Sequence, residues 1–187
     1  MEFQFTGPVI IGSEQDTIDV IYDTGSDWLA VDTDVCASCF DPVFNSADST
    51  SFVNTTTPHN LLYGSAELDG HLVSDHTYLS HPDLGVDDFP FIAVWQQVGI
   101  SEDFDGILGL SRQQSGEYEN GDLFVQYAKD SGAITKEMVS FYMDNASGNN
   151  YADFGPYTLE SVKGNSEDNI AWLNMPGESL FWYSSAV

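Results

Sequence analysis

One carboxylate in this 187-residue chain stands where it could do chemistry. In Val20-Ile21-Tyr22-Asp23-Thr24-Gly25-Ser26 an apolar run ends on Asp23, and Gly25 follows where it permits a tight turn. An Asp so placed is held at the end of a buried element. Thr24 and Ser26 supply hydroxyls that can donate to the carboxylate or lock the loop, and Gly25 lets backbone amides approach it. Asp-Thr-Gly alone is also common in hairpin turns, so the tripeptide carries weight only in company.

Cys36 and Cys39 are the only cysteines, and C-x-x-C can be a small disulfide loop, a redox motif or half of a zinc site. A zinc site would need a second pair, which is absent. His59, His71, His76 and His81 show none of the usual ligand spacings beside it, and His71 with His76 is an i, i+5 pair in an expected strand. A thioredoxin-like motif needs a βαβ context that the surrounding sequence lacks. We therefore read a structural disulfide and no metal site, which implies an oxidising compartment. Asn54-Thr55-Thr56 and Asn145-Ala146-Ser147 are glycosylation acceptor patterns that agree with such a route.

Two further segments have the look of parts that position a site. Leu61-Leu62-Tyr63-Gly64-Ser65, followed by Asp69-Gly70, reads as a hairpin with an aromatic near its tip. Phe104-Asp105-Gly106-Ile107-Leu108-Gly109-Leu110 is apolar with two glycines, able to cross close behind another backbone. Around them lie short β-rich runs separated by Gly, Asp, Asn and Ser clusters: Val9 to Gly12, Thr17 to Tyr22, Trp28 to Thr33, His71 to Leu79 and Phe89 to Gln97. Leu123 to Lys129 carries apolar residues at helical spacing before Gly132, which predicts a helix of two to three turns. Strands follow at Ser140 to Met143 and Tyr151 to Phe154, with a turn-rich stretch between them. The chain reads as mostly β.

The composition agrees with a globular protein: 42% hydrophobic residues with 13% aromatics can fill a core. No stretch approaches the roughly 18 apolar residues of a membrane span, and Met1-Glu2-Phe3-Gln4 lacks the start of a signal peptide. The expectation is a soluble polypeptide whose leader is removed or never included. Thirty acidic against four basic residues give a formal charge of -26, which repels nucleic acid and anionic membranes as partners. Such an excess also destabilises a compact state at neutral pH, an effect that fades as carboxylates protonate. An acidic working environment fits.

Asp23-Thr24-Gly25-Ser26, Tyr63-Gly64-Ser65, Asp105 to Leu110, Val139 to Met143 and the Phe154-Gly155 turn occur in an order that resembles the pepsin-like (A1) aspartic peptidases. The resemblance spans nearly the whole chain. It implies a mostly β acid-protease lobe, closed or sandwiched β-sheets with one or two short helices, over residues 1–168. Asp23 would then be one of two carboxylates that share a proton and activate a water against a peptide carbonyl, with no metal or organic cofactor. By the same matching Thr24 buttresses the loop, Gly25 and Ser26 support it, and Ser26 hydrogen-bonds Asp23. Tyr63, Gly64 and Ser65 form a mobile flap over the substrate strand. A flap tip is expected to be exposed, with few core contacts.

The departures matter too. Many members carry Trp four residues beyond the loop serine; this chain has Ala30 there, with Trp28 two residues earlier, so the anchor of Tyr63 is left open. Ala66 and Glu67 replace a common Gly-Ser pair, which implies altered flap hydrogen bonds. No convincing second Asp loop is present: Asp130-Ser131-Gly132 has the letters but sits at the expected end of a helix. Residues 169–187, rich in apolar side chains such as Ile170, Trp172, Leu173, Leu180, Phe181, Trp182 and Tyr183, read as strands resembling the crossover into a second lobe. The resemblance thus points to an aspartic endopeptidase lobe, secreted or in an acidic lumenal compartment. It acts on peptides and is completed by a carboxy-terminal lobe. The alternatives are a two-fold dimer in which each chain contributes Asp23, and a non-catalytic peptide-binding decoy.

Overall fold

The computed structural model describes residues 5–40, 44–79, 81–100, 104–112, 121–144, 146, 148–175 and 182. Nine strands and one α-helix are described: β1 (Thr6–Ile11), β2 (Asp16–Asp23), β3 (Leu29–Asp32), β4 (Val53–Leu62), β5 (Glu67–Leu79), β6 (His81–Val98), β7 (Gly106–Gly109), α1 (Phe124–Asp130), β8 (Val139–Tyr142) and β9 (Tyr151–Phe154). The chain is a mostly β lobe, as its sequence implies.

Seven strands form one mixed sheet in the order β1-β2-β7-β3-β6-β5-β4, and β1 also pairs with β5 at Ile10↔Tyr78 and Ile11↔Thr77. That second pairing curls the sheet back on itself. In the middle, β7 lies parallel to β2 and antiparallel to β3, and β3 lies parallel to β6. Every residue of β3 and β7 is buried. Successive side chains on a strand point to opposite faces, so such strands must be apolar on both. Leu29, Val31 and Leu108 enter one core with Val9, Ile18, Val20, Phe91 and Phe124. Ala30 and Ile107 enter a second with Trp28, Leu68, Ile92 and Val94. The unbroken run Ile107-Leu108 follows from this double burial. β1 and β2 alternate instead: β1 buries Val9 and Ile11, and β2 buries Ile18 and Val20.

β4 was legible only at its end, in the hairpin reading of Leu61 to Ser65. Its polar run Val53–Leu62 is almost wholly exposed and pairs along β5 through a bulge between Asn54 and Thr57. α1 docks Phe124 and Ala128, one turn apart, and Phe124 stacks edge-on against Phe89 with ring centres 5.3 Å apart. It ends where Ser131 donates its N–H to the Tyr127 carbonyl and the chain turns at Gly132 with φ of 84°. Asp130-Ser131-Gly132 is therefore a helix terminus. β8 and β9 pair only with each other among the described residues, from Val139↔Phe154 to Tyr142↔Tyr151.

Residues 170–175 differ from their reading as strands. A short 3-10 turn at Glu167–Asn169 leads into residues 170–175, which form no strand. A strand needs an edge to pair with, and among the described residues no strand pairs with this segment. Leu180, Phe181 and Tyr183 lie outside the described residues. Trp172 instead packs against Tyr157, ring centres 5.6 Å apart, and Trp182 donates its indole N–H to the Leu110 carbonyl at 3.0 Å. No helix among the described residues is long and apolar enough to cross a membrane.

Candidate active site

β2 delivers Asp23 to the end of the central sheet, where it stands half-buried opposite Gly109 of β7. The backbone beyond it is tied on both sides. Leu110 N–H donates to the Asp23 carbonyl at 2.7 Å, Ser111 N–H to the Ser26 carbonyl at 2.8 Å, and Gly109 N–H to the Trp28 carbonyl at 2.9 Å. The two strands and the loop between Asp23 and Trp28 thus form one hydrogen-bonded frame. Gly109 is required there, since a Cβ would lie 2.3 Å from the Asp27 carbonyl carbon.

The carboxylate itself accepts the Gly25 N–H at 2.9 Å on Oδ1. A backbone donor fixed by the turn holds the carboxylate in place. Ser26 does not take the role expected of it. Its Oγ is buried and makes no hydrogen bond of ordinary geometry, to Asp23 or to any other described group. Thr24 and Gly25 are exposed on the open side of the loop.

Tyr63 begins the turn between β4 and β5, closed by Tyr63 N–H donating to the Ala66 carbonyl at 2.8 Å. Gly64 and Ser65 at the turn are exposed, as a flap requires, but Tyr63 is not. Its ring turns inward and packs on the second core with Leu61 and Ala66, beside Trp28. The expectation of an exposed side chain with few core contacts is corrected: the inward turn removes an aromatic ring from water. Burial pushes the Tyr63 hydroxyl well above its usual range, the Asp23 charge adds to the rise, and an approach to Ser26 Oγ opposes it. That approach falls short of hydrogen-bond geometry, so the hydroxyl and Ser26 Oγ are poised rather than bonded. Tyr63, Ser26 and Asp23 therefore share one microenvironment. Ala30, where a Trp was the common residue, is buried in β3, and Trp28 stacks against His59 of β4 with ring centres 5.2 Å apart.

Asp27 and Gly121 also belong to the frame and were missed in the sequence. The Asp27 carboxylate accepts backbone N–H groups of Gly121 and Trp28, which hold its pKa down while burial pushes it up and prevails. Gly121 packs so closely that a Cβ would lie 2.6 Å from the Trp28 nitrogen. Only the closeness of Asp27 to Asp23 in the chain could have pointed to it.

Cys36 and Cys39 are joined in a disulfide, Cα atoms 5.4 Å apart, closing a small loop beyond β3. Asp32 lies beside them, with a carboxylate oxygen within 4.8 Å of both sulfurs. The sulfurs are bound to each other, so they are not available as thiolate ligands. A cavity of about 680 Å³ opens on the far side of the loop, between Thr24, Leu110, Phe141, Tyr142 and Trp172. Neither Asp23 nor Tyr63 lines it. It is an apolar hollow beside the site rather than the site itself.

The sequence profile of the eukaryotic aspartyl protease family matches residues 4–183. The chain is 31% identical over 153 residues to cyprosin from Cynara cardunculus, covering 77% of this chain and 31% of that protein. It is 26% identical over 168 residues to cathepsin D from Dictyostelium discoideum, covering 86% and 43%. Against pregnancy-associated glycoprotein 6 from Ovis aries it is 29% identical over 143 residues, covering 74% and 37%. The chain thus spans less than half the length of these relatives.

Proposed function

The chain belongs to the eukaryotic aspartyl protease family, and on that premise we propose that it is an aspartic endopeptidase lobe contributing one catalytic carboxylate, Asp23. The observation that carries this reading is the frame around Asp23: Gly25 N–H on its carboxylate, β7 behind its backbone, and the Tyr63 hydroxyl within reach of its charge. A lone turn aspartate would need none of these.

The chemistry needs two carboxyl groups that share one proton. The ionised one takes a proton from a water whose oxygen bonds to the peptide carbonyl carbon, while the protonated one gives its proton to the carbonyl oxygen. Breakdown of the tetrahedral diol then breaks the C–N bond, and a proton passes to the departing amine. Asp23 is one of the pair; Thr24, Gly25 and Ser26 hold its loop. Tyr63, with Gly64 and Ser65, covers the substrate strand and excludes water. No organic cofactor or metal is needed.

The second carboxylate is to come from a carboxy-terminal lobe, with residues 1–168 as the amino-terminal lobe and 169–187 leading toward its partner. Asp130 serves a helix end, which supports this reading. A two-fold pair of these chains is the alternative source, and the exposed Trp172 and Leu173 favour some association. The disulfide and the charge of -26 support a secreted or acidic lumenal location. The test is Asp23→Asn in whichever assembly cleaves peptides. The Asn side-chain oxygen still accepts the Gly25 N–H, so the fold should hold while hydrolysis is abolished. More than a few per cent of residual activity, with contamination excluded, would refute the role of Asp23.

A further inference from the structure

β3 and β7 run antiparallel through Leu29↔Leu108, Ala30↔Ile107 and Val31↔Gly106, and one step further Asp32 N–H donates to the Asp105 carbonyl at 2.9 Å. The Asp23 loop lies at one end of this pair, and two aspartates lie at the other. Asp105 is itself fixed to β2, its N–H donating to the Asp19 carbonyl at 2.7 Å. Asp32 is only 2% exposed, and its Oδ1 is buried with no hydrogen-bond partner. On the β6 side it faces Val94, whose carbonyl already accepts the Thr33 hydroxyl at 2.7 Å, and on the loop side the disulfide. Among the described residues the charged group acting on it is the Asp105 carboxylate.

A buried carboxylate with an orphaned oxygen and a like charge beside it is costly; a buried carboxylic acid costs much less. We propose that Asp32 and Asp105 form a proton-holding latch, in which a proton on Asp32 locks β3 to β7 and to the disulfide loop, and its loss loosens that end of the frame. Because β7 reaches the Asp23 loop at its other end, the latch couples the acidity of the medium to the frame around Asp23. The inference concerns the fold alone and does not depend on peptide hydrolysis.

Burial, with the Asp105 charge adding to it, raises the Asp32 carboxyl from 3.8 to about 7. Its stabilisation is therefore complete below the unfolded value, near pH 3.8, and is lost as pH rises to about 7. Over that window the unfolding constant should rise by up to about tenfold per pH unit from this group.

The latch predicts a protonated-carboxyl infrared band persisting at about pH 6, where ordinary carboxylates are ionised. Asp32→Asn should remove that intensity and flatten the loss of thermal stability between about pH 4 and 7 relative to the parent chain. Asp105→Asn keeps Asp32 but removes the like charge, so the band should titrate at lower pH than in the parent. If Asp32→Asn fails to fold, this second variant still decides. No protonated band at about pH 6, an Asp32→Asn slope equal to the parent's, or an unmoved titration in Asp105→Asn would each overturn the latch.

Discussion

Leu110 donates its backbone N–H to the carbonyl of Asp23 at 2.7 Å, which fastens the last residue of β2 to the strand threaded behind it. The bond lies on the main chain, so it leaves the carboxylate free for the Gly25 amide and for the open side of the loop. The chemistry proposed for Asp23 is thereby separated from its support, and each can be perturbed alone.

Gly109→Ala perturbs the support. The new Cβ would meet three backbone atoms of Asp27 at 2.3–2.7 Å, and backbone cannot yield as a flexible side chain does. The strands must part, at a cost of about 2–3 kcal/mol by comparison with overpacked cores. Urea denaturation should show that loss. A midpoint unchanged from the parent would mean that β7 does not press on the loop.

Much of this frame was legible in the sequence, and the reason is chemical. An apolar run ending in Asp23-Thr24-Gly25-Ser26, and a short apolar run holding two glycines at Gly106 and Gly109, are written in residue types that few other arrangements need. Side-chain direction was not legible. Tyr63 lies next to two exposed turn residues, and nothing local says that its ring points inward rather than out. Ser26 Oγ was the group expected to hold Asp23, and turn geometry gives that place to the Gly25 amide instead. The burial of Asp32 arises from β6, β7 and the disulfide loop converging on it, which are contacts between residues far apart in the chain. The strand reading of residues 170–175 differs for a related cause: apolarity reports a wish to be buried, while a strand also needs an edge.

Tyr63 packs on the second core and is proposed to serve the chemistry, and two substitutions separate these roles. Tyr63→Ala removes a ring packed on the second core and should cost about 2–3 kcal/mol in denaturation. Tyr63→Phe keeps the ring and loses only the hydroxyl that approaches Ser26, so stability should change by less than about 1 kcal/mol. Turnover in the active assembly should nevertheless fall. Full turnover in Tyr63→Phe would confine Tyr63 to a packing role.

The Cys36–Cys39 bond should survive as an intact crosslink in protein matured through an oxidising route. Mass spectrometry after alkylation without reductant should find no labelled cysteine. Its stabilisation is small because the loop closed is short: about 2 kcal/mol on the chain-entropy estimate. A Cys36→Ser, Cys39→Ser pair that unfolds the lobe at room temperature would show a larger role than loop closure supplies.

Alone, this chain should fold and yet cleave little or nothing. Its described residues bury a core of their own, with Phe44, Phe89, Phe91, Phe124 and Leu108 in one cluster. The proposed chemistry is incomplete: it rests on Asp23 alone among the described residues, and a single carboxylate cannot be acid and base in the same step. A half-cleft would also leave water and peptide poorly oriented, forfeiting much of the several kcal/mol that positioning contributes. Meanwhile Trp172, Leu173 and Trp182 are more than half exposed, and Trp172 and Trp182 line an apolar hollow of about 680 Å³. Such a surface favours association. Light scattering on the purified chain at acidic pH, run alongside a broad peptide library, distinguishes the outcomes. Folded protein without cleavage is expected, whether monomeric or self-associated. Pepstatin-sensitive cleavage that appears only in a dimer fraction would assign the second carboxylate to another copy of Asp23. Robust pepstatin-sensitive cleavage by a confirmed monomer would overturn the one-carboxylate reading of this lobe.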